Sequence, residues 1–329
     1  MADSNFKPGY ETCDEVTLQC PVEATLYGDY FTKGPIIFFA VAFGLLLLYQ
    51  IWFTFKSRAW GFSIWLILGT VFEMVGYSSR MEMVDNPWKK DPFQKQLLLL
   101  ILAPTLIAAS IAVAFKHLVL YYGPDLSVLR PRWYPFVFVG TDIIAIIIQG
   151  AGAVMAGQGG DKMDLSTGLL VGGVSFQLVN MLGCGILMVI FWKRYQRLKH
   201  DGTKTERRDV LVQDGQVDST EYRNLRWFVW AIFAAYILII IRCIYRVPEM
   251  ALGWGSSLMQ NEALFYILDG AMILLAVTII CAFHPARFFP RLGRAKDMAA
   301  PTPAQIRSHV ERGEYQGSQI ALRQVVTTV

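Results

Sequence analysis

The sequence predicts an all-α polytopic membrane protein: a bundle of seven transmembrane helices with the N-terminus outside and the C-terminus cytosolic. Of its 329 residues 54% are hydrophobic and only 17% charged, against roughly 45–50% and about 25% in soluble domains. Apolar runs recur seven times at membrane-spanning length. With Arg80 and Arg246, at the ends of their runs, counted with the flanking loops, eight of the Lys and Arg fall on one side of the alternating loops and twenty-one on the other. Cytoplasmic loops collect basic residues, so the richer side is read as cytosolic. Intrinsic disorder of the whole chain, a collagen-like repeat and a disulfide scaffold are excluded by the same composition.

A bilayer core about 30 Å thick takes about 20 helical residues at about 1.5 Å each. Residues 1–34 are polar and rich in acids, including Asp14, Glu15, Glu23 and Asp29, and hold no cleavable signal. They are read as an exoplasmic segment, and the apolar run that follows as a retained anchor. The spans are then Pro35–Phe55, Ala59–Tyr77, Leu97–Phe115, Trp133–Ala156, Leu165–Trp192, Trp227–Ile241 extending to Val247, and Ala263–Phe283. The first, third and fifth carry no charge; Pro104 is expected to kink the third. Continuous apolar runs of this length exclude a strand-based barrel, whose segments alternate. Residues 35–285 thus form the membrane domain. Within it, 193–226 reads as a solvated cytosolic loop, and 286–329 as a disordered cytosolic tail. Cys13 and Cys20 share the exoplasmic segment, where a disulfide can persist; two unpaired thiols are the alternative.

The charges left inside the spans are the most informative residues, because an ionisable side chain at the bilayer centre costs roughly 2.5–3.5 kcal/mol on insertion scales. Helical spacing aligns Glu73, Tyr77 and Arg80 on one face of the second span. Arg242, Arg246 and Glu249 align on the sixth, Glu262, Tyr266 and Asp269 on the seventh, and Asp142 with Gln149 on the fourth. At about 1.5 Å per residue, Glu73, Arg242 and Gln149 lie about 21–24 Å from the cytosolic entrance, and Asp269 about 10 Å from the other side. They are expected to meet in the outer third of the membrane, with Arg242 set against Glu73 or Asp269 and Asp142 nearer the middle. Glu73, Asp142 and Asp269 outnumber the one deep arginine, so at least one carboxylate is protonated, solvated or open to a cationic ligand, and a network that only fixes helix packing is the alternative. Gln177 and Asn180 read as glue between helices.

Other chemistries find little support. No Gly-rich phosphate loop occurs, so the chain carries no nucleotide motor of that kind. Four histidines, two of them in polar segments, fall short of a multi-His zinc site. His117 and His284 at the cytosolic ends of the third and seventh spans could ligate a haem, but read better as interfacial histidines. No enzyme activity, cofactor, metal or nucleic acid partner is expected; a metal- or haem-dependent membrane enzyme is the weak alternative.

Six motifs in order carry a family resemblance. They are Glu73-x-x-Gly76-Tyr77-x-x-Arg80, Ala103-Pro104 with Ala108-Ala109, Asp142 with Gln149-Gly150, Arg242-x-x-Tyr245-Arg246-x-x-Glu249-x-x-x-Gly253, Glu262-x-x-x-Tyr266-x-x-Asp269, and His284-Pro285. Across Tyr27 to Pro290 the chain resembles the fungal RTA-like family, also called the lipid-translocating exporter family. It departs at Ala112, where many members carry a tyrosine. The resemblance implies a seven-span protein of the plasma membrane or an internal membrane, linked to movement of sphingoid long-chain bases, resistance to amphiphilic toxins or porphyrin traffic.

The expected function is therefore a lipid translocator or exporter without its own ATPase, whose partner is a cationic amphiphile in the bilayer. Glu73 and Asp269 are expected to attract the amine, Arg242 and Arg246 to hold the carboxylates, and Asp142 with Gln149 to form the lower path. On this reading a neutral amide at Asp269 or Glu73 abolishes resistance to sphingoid base at unchanged protein level. The alternative is a receptor-like lipid or stress sensor signalling through its cytosolic loop and tail.

Overall fold

The structure, a computed structural model, describes residues 9, 12–122, 133–156, 163–200, 219–252 and 256–285. The tail 286–329, which the sequence reads as disordered, lies outside them. Helices dominate, and no strand occurs among the described residues. In chain order they are α1 (Lys33–Ser57), α2 (Trp60–Glu82), α3 (Lys90–Tyr122), α4 (Trp133–Ala156), α5 (Met163–His200), α6 (Ser219–Ala251) and α7 (Glu262–Ala282). Six are long and apolar enough to cross a membrane; α4 shows a shorter apolar stretch, Val139–Met155. The chain is an integral multi-pass membrane protein.

Each helix packs on its neighbours in sequence, and α7 returns to α1. α3 also touches α6, and 78% of its apolar window is buried against 28% for α1. The most apolar positions of α1 thus face outward, as a lipid-facing helix requires, while α3 runs through the middle. Close approach to α3 depends on glycine: a Cβ at Gly76 would fall 2.6 Å from Leu100 Cδ2. A larger residue there requires the Leu100 side chain to move.

Two boundaries differ from the sequence reading. α5 continues to His200 and α6 begins at Ser219, so much of the expected 193–226 loop is helical, and 201–218 lie outside the described residues. Lys, Arg, Gln and Leu are good helix formers and extend a helix already nucleated in the membrane. α7 departs from α geometry, because Phe265–Ala271 forms a π-helical segment.

The N-terminal segment folds onto one end of the bundle instead of trailing from it. Cys13 and Cys20 are joined in a disulfide. The Trp88 indole N–H donates to Cys20 O at 3.2 Å, and Asn86 donates to Asp14 O at 2.8 Å. Tyr27 OH accepts from Gln96 at 3.1 Å, and the Thr32 amide donates to Glu262 at 3.2 Å. Tyr27, Phe31 and Trp88 are buried in this contact.

Candidate functional site

Three helices bring their charges together at the end of the bundle nearest the N-terminal segment. Asp269 Oδ1 lies 2.8 Å from Arg242 Nε and 2.7 Å from Arg246 Nε. Arg246 Nη1 also holds Glu249 at 2.8 Å, one turn along α6. Arg242, Arg246, Glu249 and Asp269 are all buried. Paired charges of this kind are stable in a low dielectric only when their geometry is close.

The local backbone explains the arrangement. A π turn carries an extra residue, and such turns recur at functional sites; here it contains Asp269. Gly270 beside it leaves room for two rings of the neighbouring helices: a Cβ would crowd the Tyr77 hydroxyl and come within 2.9 Å of the Phe39 ring. Pro104 lacks the amide that would bond the carbonyl four residues earlier. That carbonyl, Leu100 O, accepts from Arg242 Nη2 instead. The proline read as a kink therefore also supplies a partner for the deep arginine.

Glu73 stands apart from the other carboxylates. It is fully buried, neither of its oxygens accepts a hydrogen bond, and its nearest cation is Arg242 Nη2 at 4.0 Å. Tyr77, one turn on, stacks on Phe39 at 5.0 Å and leaves its hydroxyl unpaired. Nearer the N-terminal segment, Arg80 Nη2 meets Glu262 Oε1 at 3.4 Å, and Tyr266 OH donates to the same oxygen at 3.3 Å. Counted as ionised groups, Glu73, Glu249, Glu262 and Asp269 oppose Arg80, Arg242 and Arg246. Asp142, one of the three acids that the sequence set against Arg242, is not among them; the four-to-three excess arises once Glu249 and Glu262 are counted, and its least compensated member is Glu73.

The α4 stripe does not join this cluster among the described contacts. Asp142 accepts from Asn180 at 2.7 Å; Gln149 donates to Gln177 at 2.9 Å, and Gln177 to Thr105 at 2.8 Å. This second network ties α3, α4 and α5 together. The reason is topological: α3 stands between α4 and the α6–α7 pair. Among the described residues no ion pair reaches Asp142.

Spacing overlooked four residues around Arg80: Tyr27, Phe31, Gln96 and Phe265. Gln96, a buried amide at the start of an apolar run, was the available signal. Burial pushes the Tyr27 phenol up, although Arg80 opposes the shift, so its oxygen stays protonated while accepting from Gln96.

His117 and His284 each have a partner of their own. His117 Nδ1 lies 2.7 Å from Val113 O, and His284 Nε2 lies 3.3 Å from Ser63 Oγ between Phe53 and Phe62. Among the described residues no group of three or more His, Cys, Asp or Glu could hold a metal ion. Just beyond α7, burial pushes His284 down to about 4, from 6.5. An unfolded chain then binds more protons than the folded one between those values, so stability is full above pH 6.5 and declines as pH falls toward 4. Acidification from pH 7 to 5 is expected to remove about 1–2 kcal/mol and lower the melting temperature. His284→Gln should flatten this dependence; an unchanged slope refutes the assignment.

Comparison with known proteins adds the following. The family described as RTA1 like protein matches residues 66–292. A sphingoid long-chain base transporter, RSB1, of Saccharomyces cerevisiae is 26% identical over 291 residues, 81% of this chain and 74% of the relative. A probable lipid transporter, atnI, of Emericella nidulans is 25% identical over 276 residues, 79% and 69% of the two chains. Protoporphyrin uptake protein 1 of Saccharomyces cerevisiae is 27% identical over 224 residues, 67% of each. No solved structure matches.

Proposed function

The chain belongs to the RTA1-like family, and from that premise we propose that it moves a single-chain cationic amphiphile, such as a sphingoid long-chain base, between the leaflets of a membrane. The observation that carries this reading is Glu73, a buried carboxylate without a hydrogen bond, in a cluster whose acids outnumber its arginines. An ammonium group supplies what Glu73 lacks, and an apolar tail suits the surrounding helices. The names of RSB1 and atnI support lipid as the cargo. A binder and mover of lipid requires no catalytic residue, and none is assigned. The reading puts the N-terminal segment on the exoplasmic side, which the basic asymmetry of the loops and a disulfide suited to an oxidising compartment support, and takes the plasma membrane, with an internal membrane as the alternative.

Reconstitution tests the reading. In liposomes without nucleotide, the purified protein should speed the transbilayer movement of labelled sphingosine at least tenfold over protein-free vesicles. Binding without faster movement would instead identify a sensor with the same topology, and the transport reading would fall.

A further inference from the structure

The cation nearest the N-terminal segment sits in an aromatic box. The Arg80 guanidinium carbon lies 4.3 Å from the Phe31 and Phe265 ring centroids, 5.3 Å from Tyr27 and 5.5 Å from Tyr266. Glu262 closes the box at 3.4 Å. Several aromatic faces with a carboxylate are the chemistry that recognises an ammonium ligand. Here the occupant is the protein's own side chain.

Two spaces flank the box. Outward lies a vestibule of about 420 Å³ whose lining includes Tyr27, Asp29, Tyr30, Phe31 and Glu262 and no basic residue. Inward lies a cavity of about 10 Å³, room for one water, lined by Arg80, Gln96, Arg246 and Glu249, with Met250 and Met259. Tyr27 borders both. Hydrogen bonding is incomplete on the inner side: Arg80 Nε and Nη1 and Gln96 Oε1 are buried without a partner. Unpaired donors and an unpaired acceptor thus line one cavity, and they are complementary.

We propose that the box is an ammonium-binding site held shut by Arg80. The head of a single-chain alkylammonium enters from the vestibule and takes the place between Phe31 and Phe265. Arg80 shifts toward Gln96 Oε1 and the Glu249 carboxylate, which accept its free N–H groups, and the flexible Met250 and Met259 side chains of the inner wall move aside to make room for it. Asp29 and Glu262 balance the incoming charge. A neutral amphiphile brings no cation to the rings and leaves Arg80 in place. The inference rests on the cationic-amphiphile reading above, to which it adds a recognition step and a competing internal cation.

The test uses the full chain in nanodiscs, with dodecylammonium as probe, dodecanol as the uncharged control, and empty nanodiscs to correct for partitioning. Arg80→Gln removes the competitor and should tighten dodecylammonium binding at least tenfold. Gln96→Leu removes the acceptor that receives Arg80 and should weaken binding at least fivefold. Dodecanol binding should not change in either variant. A purely structural Arg80 predicts the opposite: equal or weaker binding in Arg80→Gln at an unaltered melting temperature overturns the proposal. Where Arg80→Gln does not fold, Gln96→Leu decides, and unchanged affinity is the overturning result. The two readings fail separately. Wild-type protein that moves sphingosine while Arg80→Gln binds no tighter removes the swap alone; tighter binding in a protein that moves no lipid removes transport and keeps the box.

Discussion

Asp269→Asn is expected to cost the protein its fold before it costs any transport. Asp269 Oδ1 is within 2.8 Å of two guanidinium groups, Arg242 and Arg246, and all three side chains are buried. Removing one member of a buried ionic group leaves uncompensated charge, typically worth about 3–5 kcal/mol. Domain stabilities are only about 5–15 kcal/mol, so the folded fraction recovered from membranes should fall at least tenfold. The same argument predicts rescue. Adding Arg242→Gln removes one stranded cation and leaves Arg246 paired with Glu249 at 2.8 Å, so the double variant should recover much of the lost abundance. Size-exclusion recovery and melting temperature of the two single variants and the double variant measure the coupling. Wild-type abundance in Asp269→Asn would show that the triad is not structural.

This result would separate two residues that the sequence treats alike. Spacing and depth place Glu73 and Asp269 at one level among arginines, and the structure does bring both to Arg242. Spacing cannot say which carboxylate takes the closer contact, because that depends on local backbone geometry. The π segment in α7 and the carbonyl freed by Pro104 settle it: Arg242 reaches Asp269 with one nitrogen and Leu100 O with another. Neither has a periodicity to read. The seven apolar runs were legible because bilayer thickness fixes their length. The position of α4 was not, because a helical stripe names the face that is polar but not the neighbour it meets; Asp142 meets Asn180 on α5. The N-terminal segment was obscured by averaging. Its acids dominate the composition of residues 1–34, yet Tyr27 and Phe31 are the buried residues that box Arg80.

Glu73→Gln should behave in the opposite way to Asp269→Asn: the protein should be made and folded, and fail to move its cargo. Glu73 accepts no hydrogen bond and stands 4.0 Å from Arg242, its only close cation among the described residues. Its replacement by an isosteric amide therefore breaks no short contact and removes the cost of a poorly compensated buried carboxylate. Arg242 keeps Asp269 and Leu100 O. Abundance and melting temperature should hold or rise slightly. A hydrogen bond to a charged partner contributes about 1.5–3 kcal/mol, so losing the contact between Glu73 and an ammonium head should slow sphingosine movement about 10- to 100-fold at equal protein density. A matched long-chain alcohol, with no charge for Glu73 to recognise, should be affected far less. Glu73→Asp retains the charge on a shorter stem and should keep part of the rate. If Glu73→Gln moves sphingosine at the wild-type rate, the buried carboxylate is not the cation's partner. The ammonium must then be recognised elsewhere, with the box around Arg80 the first place to look.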